Sequence, residues 1–427
     1  MALGILFGVM LGAMALGFPI ALSMGIAVLS FVFIVGNIPL TVIFQRMISG
    51  ANSFPMVAIP LFIFAGSVMN AGGMTTRIFR FARAVIGFIP GGLAHVNIVA
   101  SAIFAGMSGS AVADVCGLGL IEVRAMREAG FEDSFSAAVT AAASTLSPII
   151  PPSIAAVIYA VMTDTSVGDM FLAGVLPGLT MAFFMMGTVY VIAKKRNFPR
   201  DKRSSFREIW ESFKGAILAI LTPGIILAGI YGGFFTPTEA AVVADIYALI
   251  VCGLIYKELK PKDLPGILLS TVESSALIMF IICVASSFSW VIIRENYPRL
   301  IGDFLASLNL GQTNMLLLFV LIYLILGCFL ESIAIMMITI PIFFPVVLKM
   351  GIHPIHFGII MLVDLMIGLL TPPVGICLYA VSNVANAPIE KVVRELIPFF
   401  IALTICVLLL VYFPQISLWL PNLARGR

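Results

Sequence analysis

The residues of this chain best placed to do chemistry are neutral oxygens grouped around prolines. In Ser144-Thr145-Leu146-Ser147-Pro148-Ile149-Ile150-Pro151-Pro152-Ser153, every proline removes an amide donor and obstructs the carbonyl four residues earlier. Pro151 and Pro152 therefore free the carbonyls of Ser147 and Pro148, and Pro148 frees that of Ser144. Freed carbonyls beside Ser and Thr hydroxyls suit a desolvated cation, while a helix restarting after Pro152 turns its positive end toward an anion. Gly368-Leu369-Leu370-Thr371-Pro372-Pro373 repeats the device and frees the carbonyls of Gly368 and Leu369.

Each break has an upstream partner. Phe104-Ala105-Gly106-Met107-Ser108-Gly109-Ser110 packs two glycines and two serines into an apolar stretch, where a helix frays and a hairpin tip inside the membrane becomes feasible. Gly327-Cys328-Phe329-Leu330-Glu331-Ser332 is its counterpart. Taken alone, the first motif also fits a small-residue contact between helices, and one proline break also fits a simple kink. Two breaks, each with a tip 41 or 43 residues upstream, favour a paired cation site. A displacement of 221 residues superposes Gly106 on Gly327, Gly130 on Gly351, Pro151 on Pro372, Pro152 on Pro373 and Pro177 on Pro398. Internal symmetry with Gly/Pro-interrupted segments at matching positions points to a transporter site at the repeat interface.

The elements that position these motifs are membrane helices. Residues are 61% apolar and only 11% charged, and the mean hydropathy is +1.13, which excludes a water-soluble surface. Charge-free runs cover 1 to 45, 47 to 76, 134 to 163, 170 to 193, 215 to 238, 304 to 330, 365 to 389 and 396 to 424. Each exceeds the roughly 20 residues that span a hydrocarbon core as a helix. Neither dyad alternation nor short strand lengths occur, so a barrel is disfavoured. The fold class expected is an all-α polytopic membrane protein. It is built from two inverted repeats of about five spans, each with a re-entrant hairpin and a discontinuous helix. The first repeat is placed at 1–193, with its hairpin near 95–125 and its broken helix near 134–163. The second is placed at 215–427, with a hairpin near 313–348 and a broken helix near 355–385. Between them, 194–214 carries eight Lys or Arg against three acids, and reads as a cytoplasmic linker.

Other features bound the function further. The apolar N-terminus lacks a basic region and a small-residue cleavage site, so it reads as a first span. Arg77, Arg80 and Arg83 alternate with apolar residues, as in a helix lying in the interface plane or a loop. The six cysteines stand singly and form no CxxC pair, which favours packing over disulfides or metal. A net charge of +3 with its basic residues in loops gives no case for nucleic acid. No phosphate-binding loop of the form GxxxxGK followed by Ser or Thr is present, so ATP does not drive this chain directly.

Ionisable residues inside spans are functional candidates, because a charge at the bilayer centre costs at least ~2.5 kcal/mol. They are Asp114, Glu239, Asp245, Glu273, Arg294, Glu331 and Asp364. Arg294 suits either a bidentate clamp on a carboxylate or an interfacial anchor beside Glu295. Glu239 follows Thr236-Pro237-Thr238, where an acid commonly complements the helix dipole. The run Gly106-Met107-Ser108-Gly109 also matches the GxSG of rhomboid-type intramembrane serine proteases, which need a histidine base. Of His95, His353 and His356, none stands at a suitable place in the sequence.

Along nearly its whole length the chain resembles the large membrane subunit of TRAP transporters, the tripartite ATP-independent periplasmic systems. The resemblance rests on Pro55-Met56-Val57-Ala58-Ile59-Pro60-Leu61-Phe62, Gly106 to Asp114, Ser147 to Ser153, Phe235-Thr236-Pro237-Thr238-Glu239-Ala240-Ala241 and Gly368 to Gly375. It implies an ion-transporter-type elevator fold in the bacterial inner membrane, coupled to sodium. It also implies import of an organic acid delivered by a periplasmic substrate-binding protein, together with a small four-helix membrane subunit. By that resemblance Gly106, Ser108, Ser147, Pro148 and Ile150 form one sodium site, and Gly327, Gly368 and Thr371 the second. Ser108, Ser110, Asp114, Ser153 and Arg294 are then expected to face substrate, with Glu239 and Glu331 beside them. Sialic acid is the favoured cargo and a C4-dicarboxylate the next. A single-component sodium/carboxylate carrier of the same fold is the alternative.

Overall fold

The computed structural model describes residues 2–36 and 38–426, and among them it contains helices and turns but no strand. The first part of the chain forms α1 (Ala2–Ala15), α2 (Ile20–Val35), α3 (Leu40–Ala51), α4 (Ala58–Ala71), α5 (Met74–Ile86) and α6 (Gly92–Ser108). It continues through α7 (Ala111–Cys116), α8 (Leu118–Glu128), α9 (Asp133–Ser144), α10 (Ile154–Thr163) and α11 (Val167–Arg196). Then come α12 (Phe206–Tyr231), α13 (Pro237–Leu249), α14 (Leu264–Arg294), α15 (Tyr297–Ser307) and α16 (Gln312–Gly327). Last are α17 (Ser332–Lys349), α18 (Pro354–Gly368), α19 (Ile376–Ala385), α20 (Ile389–Tyr412) and α21 (Gln415–Ala424). Among the described residues, seven helical stretches are long and apolar enough to cross a membrane, and shorter apolar helices surround the breaks.

Helix boundaries follow the 221-residue displacement closely. Ala111 falls on Ser332 and Glu128 on Lys349, so α7 with α8 occupies the same stretch as the single helix α17. Asp133 falls on Pro354, where α9 and α18 begin, and Val167 falls on Pro388, the residue before α20. The peptide bonds Pro151-Pro152 and Pro372-Pro373 are both cis. One difference has a local cause: Gly117 parts α7 from α8, and a Cβ built there would stand 2.8 Å from Asn70 Nδ2. Ile338 holds the matching place in the unbroken α17.

The two short helices before the breaks lie at the centre. In α9 every residue from Phe135 to Ser144 is buried, and in α18 every residue from Ile355 to Gly368. Alanines at 137, 138, 141, 142 and 143 allow neighbouring helices to approach α9 closely, and lipid supplies no hydrophobic drive to replace that contact. The central helix α9 packs on α6, α8, α19 and α20, and α18 packs on α11, α16 and α20.

The basic stretch departs from the expected linker. Lys194 to Arg196 close α11, and Phe206 to Lys214 open α12, so only 197–205 is irregular. Asn197 ends α11 in the left-handed conformation at φ 51°, and Ser205 with Glu208 caps α12 reciprocally. Arg83 pins the loop through a 2.7 Å bond from its Nε to Asp201. The Arg77 to Arg83 segment is the amphipathic helix α5, which buries Met74, Ile78, Phe79 and Ala82 and stacks Arg77 on Tyr256 at 3.8 Å.

Candidate functional site

At the first tip, α6 ends on Ser108, the chain reverses through Gly109 and α7 starts after Ser110. Gly109 sits at φ +62°, and a Cβ there would lie 2.8 Å from the Pro152 carbonyl oxygen, so glycine alone lets the tip rest against the proline loop. From behind, α4 presses equally close, with a Cβ on Gly66 3.0 Å from the Met107 carbonyl oxygen. The Ser108 and Ser147 hydroxyls both donate to the Asp114 carboxylate, and their oxygens lie 3.4 Å apart. Asp114 is 2% exposed, and no Lys, Arg or His among the described residues forms an ion pair with it. A buried charge of this kind needs compensation from a proton or a cation. Asp114, which the resemblance assigns to the substrate face, joins Ser108 and Ser147, because the turn at Gly109 folds α7 back over the proline loop.

The proline-freed carbonyls are partly satisfied within the protein. Ser144 accepts from the Ser147 amide at 3.2 Å, and Pro148 accepts from the Ser153 hydroxyl at 2.5 Å. Ser153 is fully buried and also caps α10 by accepting from the Ala156 amide. The Ser147 carbonyl takes no hydrogen bond from any described residue. Gly106 packs on Pro223, and Ile150 fills the notch left by Gly178.

The second tip is a backbone contact. A Cβ on Gly327 would lie 2.8 Å from the Gly368 Cα. The Val374 amide reaches across to the Cys328 carbonyl at 3.1 Å, tying the tip to the loop after α18. The carbonyls of Gly368 and Leu369 are not left free as the sequence suggests. They accept from the amides of Thr371 at 2.9 Å and Cys377 at 3.2 Å, and the Thr371 hydroxyl donates to Ile367 at 2.8 Å. Glu331 caps α17 by accepting from the amides of Ile333 and Ala334.

Two cavities meet at Ser110. The larger, about 320 Å³, is lined by Ser67, Asn70, Ser108, Ser110, Ser270 and Ser274 among apolar neighbours. The smaller, about 80 Å³, brings Ser110 together with Pro148, Glu331 and Ser332. Their polar lining is hydroxyls, one amide and the single carboxyl of Glu331. Sequence reasoning misses the serines of α14 and the Ser67/Asn70 pair of α4. The legible signal is spacing, since i,i+4 and i,i+3 place each pair on one helix face.

Two expected site residues stand elsewhere. Arg294 is exposed at the end of α14, stacked on Trp290 at 5.6 Å, and sixteen residues separate it from the cavity-lining Ile278. That is about 24 Å along a helix, which favours the end-anchor reading of this residue over the clamp. Arg294→Ala is expected to leave the KM for transported substrate within about twofold, the loss of one exposed stacking contact; a tenfold rise in an uptake assay would restore the clamp reading. Glu239 is the reciprocal cap of Thr236 at the start of α13, with its carboxylate 2.7 Å from the Thr236 amide. The protease reading fails on geometry as well. Ser108 faces Asp114, His95 lies thirteen residues back on α6, about 20 Å away, and His356 pairs with Ser417.

Comparison with known proteins adds the following. A family model described as "Tripartite ATP-independent periplasmic transporter, DctM component" matches residues 7–416. The sialic acid TRAP transporter large permease protein SiaM of Vibrio cholerae is 40% identical over 423 residues, covering 99% of each chain. The C4-dicarboxylate TRAP transporter large permease protein DctM of Rhodobacter capsulatus is 36% identical over 98% of each. Among solved structures, the Alcanivorax borkumensis YdaH transporter superposes with a TM-score of 0.64 at 14% identity, over 90% of this chain and 89% of that one. At that identity the likeness speaks for the fold alone.

Proposed function

The chain belongs to the DctM component family of tripartite ATP-independent periplasmic transporters, and we propose that it is the sodium-coupled, substrate-carrying subunit of an organic acid importer. It is a multi-pass membrane transport subunit and not an enzyme. The family works with a small membrane subunit and a periplasmic substrate-binding protein, which replaces the self-sufficient carrier as a reading. In this proposal the membrane is the bacterial inner membrane and the small subunit has four helices.

The observation that carries the coupling is Asp114, a buried carboxylate with two hydroxyl donors and no cationic partner among the described residues, beside the Ser147 carbonyl, which takes no donor from them. Carboxylate, hydroxyl and carbonyl oxygens are the donor set a hard cation takes. Ser108, Ser147 and Asp114 would hold one sodium ion, with Gly106, Pro148 and Ile150 shaping the loop around it. Gly327, Gly368 and Thr371 would shape the second site. Matching helix bounds at one displacement support a duplication, which this reading takes as two inverted repeats, and two tips that each rest on a proline loop support a unit that moves as one body, as an elevator requires.

Sialic acid is favoured as the cargo over a C4-dicarboxylate. The larger cavity at Ser110 offers hydroxyls and one amide, which suit a polyhydroxylated acid, whereas a dicarboxylate would bring a second charge toward a lining without Arg, Lys or His and with the Glu331 carboxyl in the smaller cavity beside it. The test is uptake into proteoliposomes holding this chain and its small subunit, with the binding protein outside. Sialic acid is expected to accumulate under an inward sodium gradient and only with binding protein present. Equal uptake in potassium would overturn the coupling, and preference for succinate would overturn the cargo.

A further inference from the structure

Below the tip, the interior of the first half holds a second polar cluster that none of the preceding roles uses. Asn97 and Ser101 sit one turn apart on α6, Glu122 on α8 and Thr140 on α9, and all four are at most 2% exposed. The Ser101 hydroxyl donates to Glu122 at 3.4 Å, and the Asn97 amide nitrogen donates to the Thr140 hydroxyl at 2.7 Å. That nitrogen also lies 3.8 Å from the sulfur of Met126, one turn beyond Glu122. Asn97 and Glu122 therefore sit on adjoining turns of one α6/α8 seam. The Asn97 carbonyl oxygen is buried there with no hydrogen-bond partner.

The cluster is rich in acceptors and short of positive charge. Of its two acceptor groups, the Glu122 carboxylate takes one weak hydroxyl donor and the Asn97 oxygen takes none. α8 packs against α5, α6, α7, α9 and α19, and the charged groups of these elements are engaged elsewhere. Arg77 pairs with Glu258, Arg83 with Asp201, Arg124 with Glu128 and Arg127 with Asp133, Arg80 is exposed, Asp114 is held by its two serines, and His95 of α6 is buried with its Nε2 bonded to none of the four. Unpaired buried acceptors of this kind are stabilised by an ion that accepts several oxygens at once. Hydroxyl, amide and carboxylate oxygens without nitrogen or sulfur ligands select a hard alkali cation over a transition metal.

We propose that Asn97, Ser101, Glu122 and Thr140 form an additional sodium site behind the first tip, separate from the two at the helix breaks. It rests on the sodium-coupled reading above. Its place on the stripe that runs from Ser108 back to Asn97 along α6 puts it in line with Asp114, so an ion there would move with the hairpin.

The number of sodium ions bound per complex tests it, counted with radioactive sodium at saturating concentration on the purified complex with its small subunit. Glu122→Gln is expected to lower the count by one and the Hill coefficient of sodium-dependent uptake by about one, while the remaining ions still bind. Where Glu122→Gln loses its monodisperse peak, Ser101→Ala and Thr140→Val are read instead, with the same expected loss of one. An unchanged count in the folded variants overturns the site, and so does an unchanged count accompanied by lost proton uptake, which makes Glu122 a proton carrier. Wild-type complex that binds no sodium would instead sink the coupling reading and this site with it, a result distinct from a normal wild-type count that the variants leave intact.

Discussion

Asp114→Asn is expected to abolish sodium-stimulated uptake, with sodium affinity at the first site falling about 100-fold or more. Among the described residues the carboxylate is the only full charge at that site, and it is organised by Ser108 and Ser147. Removing one partner of a buried, compensated charge pair costs roughly 3 kcal/mol or more, which is about two decades in affinity. A stability measurement separates this from misfolding, because the sign differs between conditions. Without sodium, the wild type buries a carboxylate that lacks a protein counter-cation, so the neutral asparagine is expected to melt at the same temperature or higher. With sodium, only the wild type gains stability, by the logarithmic dependence on ion concentration over dissociation constant. Melting curves of both proteins across a sodium series would check this. An asparagine variant whose melting temperature still rises with sodium as steeply as the wild type would leave Asp114 without the role. Ser147→Ala removes one hydroxyl donor and keeps the charge, so a loss nearer tenfold is expected.

The comparison of Asp114 with Arg294 shows what was legible in the sequence. Prolines and glycines state their own backbone consequences, so both breaks and both tips could be read from Pro148, Pro151, Pro152, Gly109, Gly327 and Gly368, and the helices end where those residues require. Composition likewise made the all-helical membrane class readable. Side-chain partnership across a turn was not readable. Resemblance placed Asp114 and Ser153 toward substrate, but the turn at Gly109 aims one at Ser147 while the other donates its hydroxyl to the Pro148 carbonyl. Arg294 is a different case. Its place along the 31-residue α14 decides what it can reach, and a sequence without fixed helix ends gives no such length. Satisfaction was the third blind spot, because a proline tells which carbonyl loses its helical donor but not whether a loop amide replaces it, as Thr371 and Cys377 do.

Gly368→Ala is expected to cost at least about 2 kcal/mol, seen as a drop of several degrees in the melting temperature, and to reduce sodium-driven uptake more than tenfold. Two effects oppose each other. Alanine favours a helix over glycine by about 1 kcal/mol, and Gly368 is the last residue of α18, where that gain is at its smallest. Against it, a Cβ at 368 would meet the Gly327 Cα at 2.5 Å and its carbonyl carbon at 2.8 Å. These are backbone atoms, so no rotamer relieves the clash and the two helices must part. Parting them strains the Val374 to Cys328 bond and opens the second tip, where Gly327 and Gly368 are the proposed frame of a cation site. Gly187→Ala in α11 supplies the control, since nothing lies within 4 Å of its Cβ position, and there the helix gain should appear as unchanged or raised stability. Should both variants melt alike, the close approach of α16 and α18 would not be what holds the second tip in place. A Gly368→Ala protein of normal stability and full uptake would also remove the second break from the transport machinery.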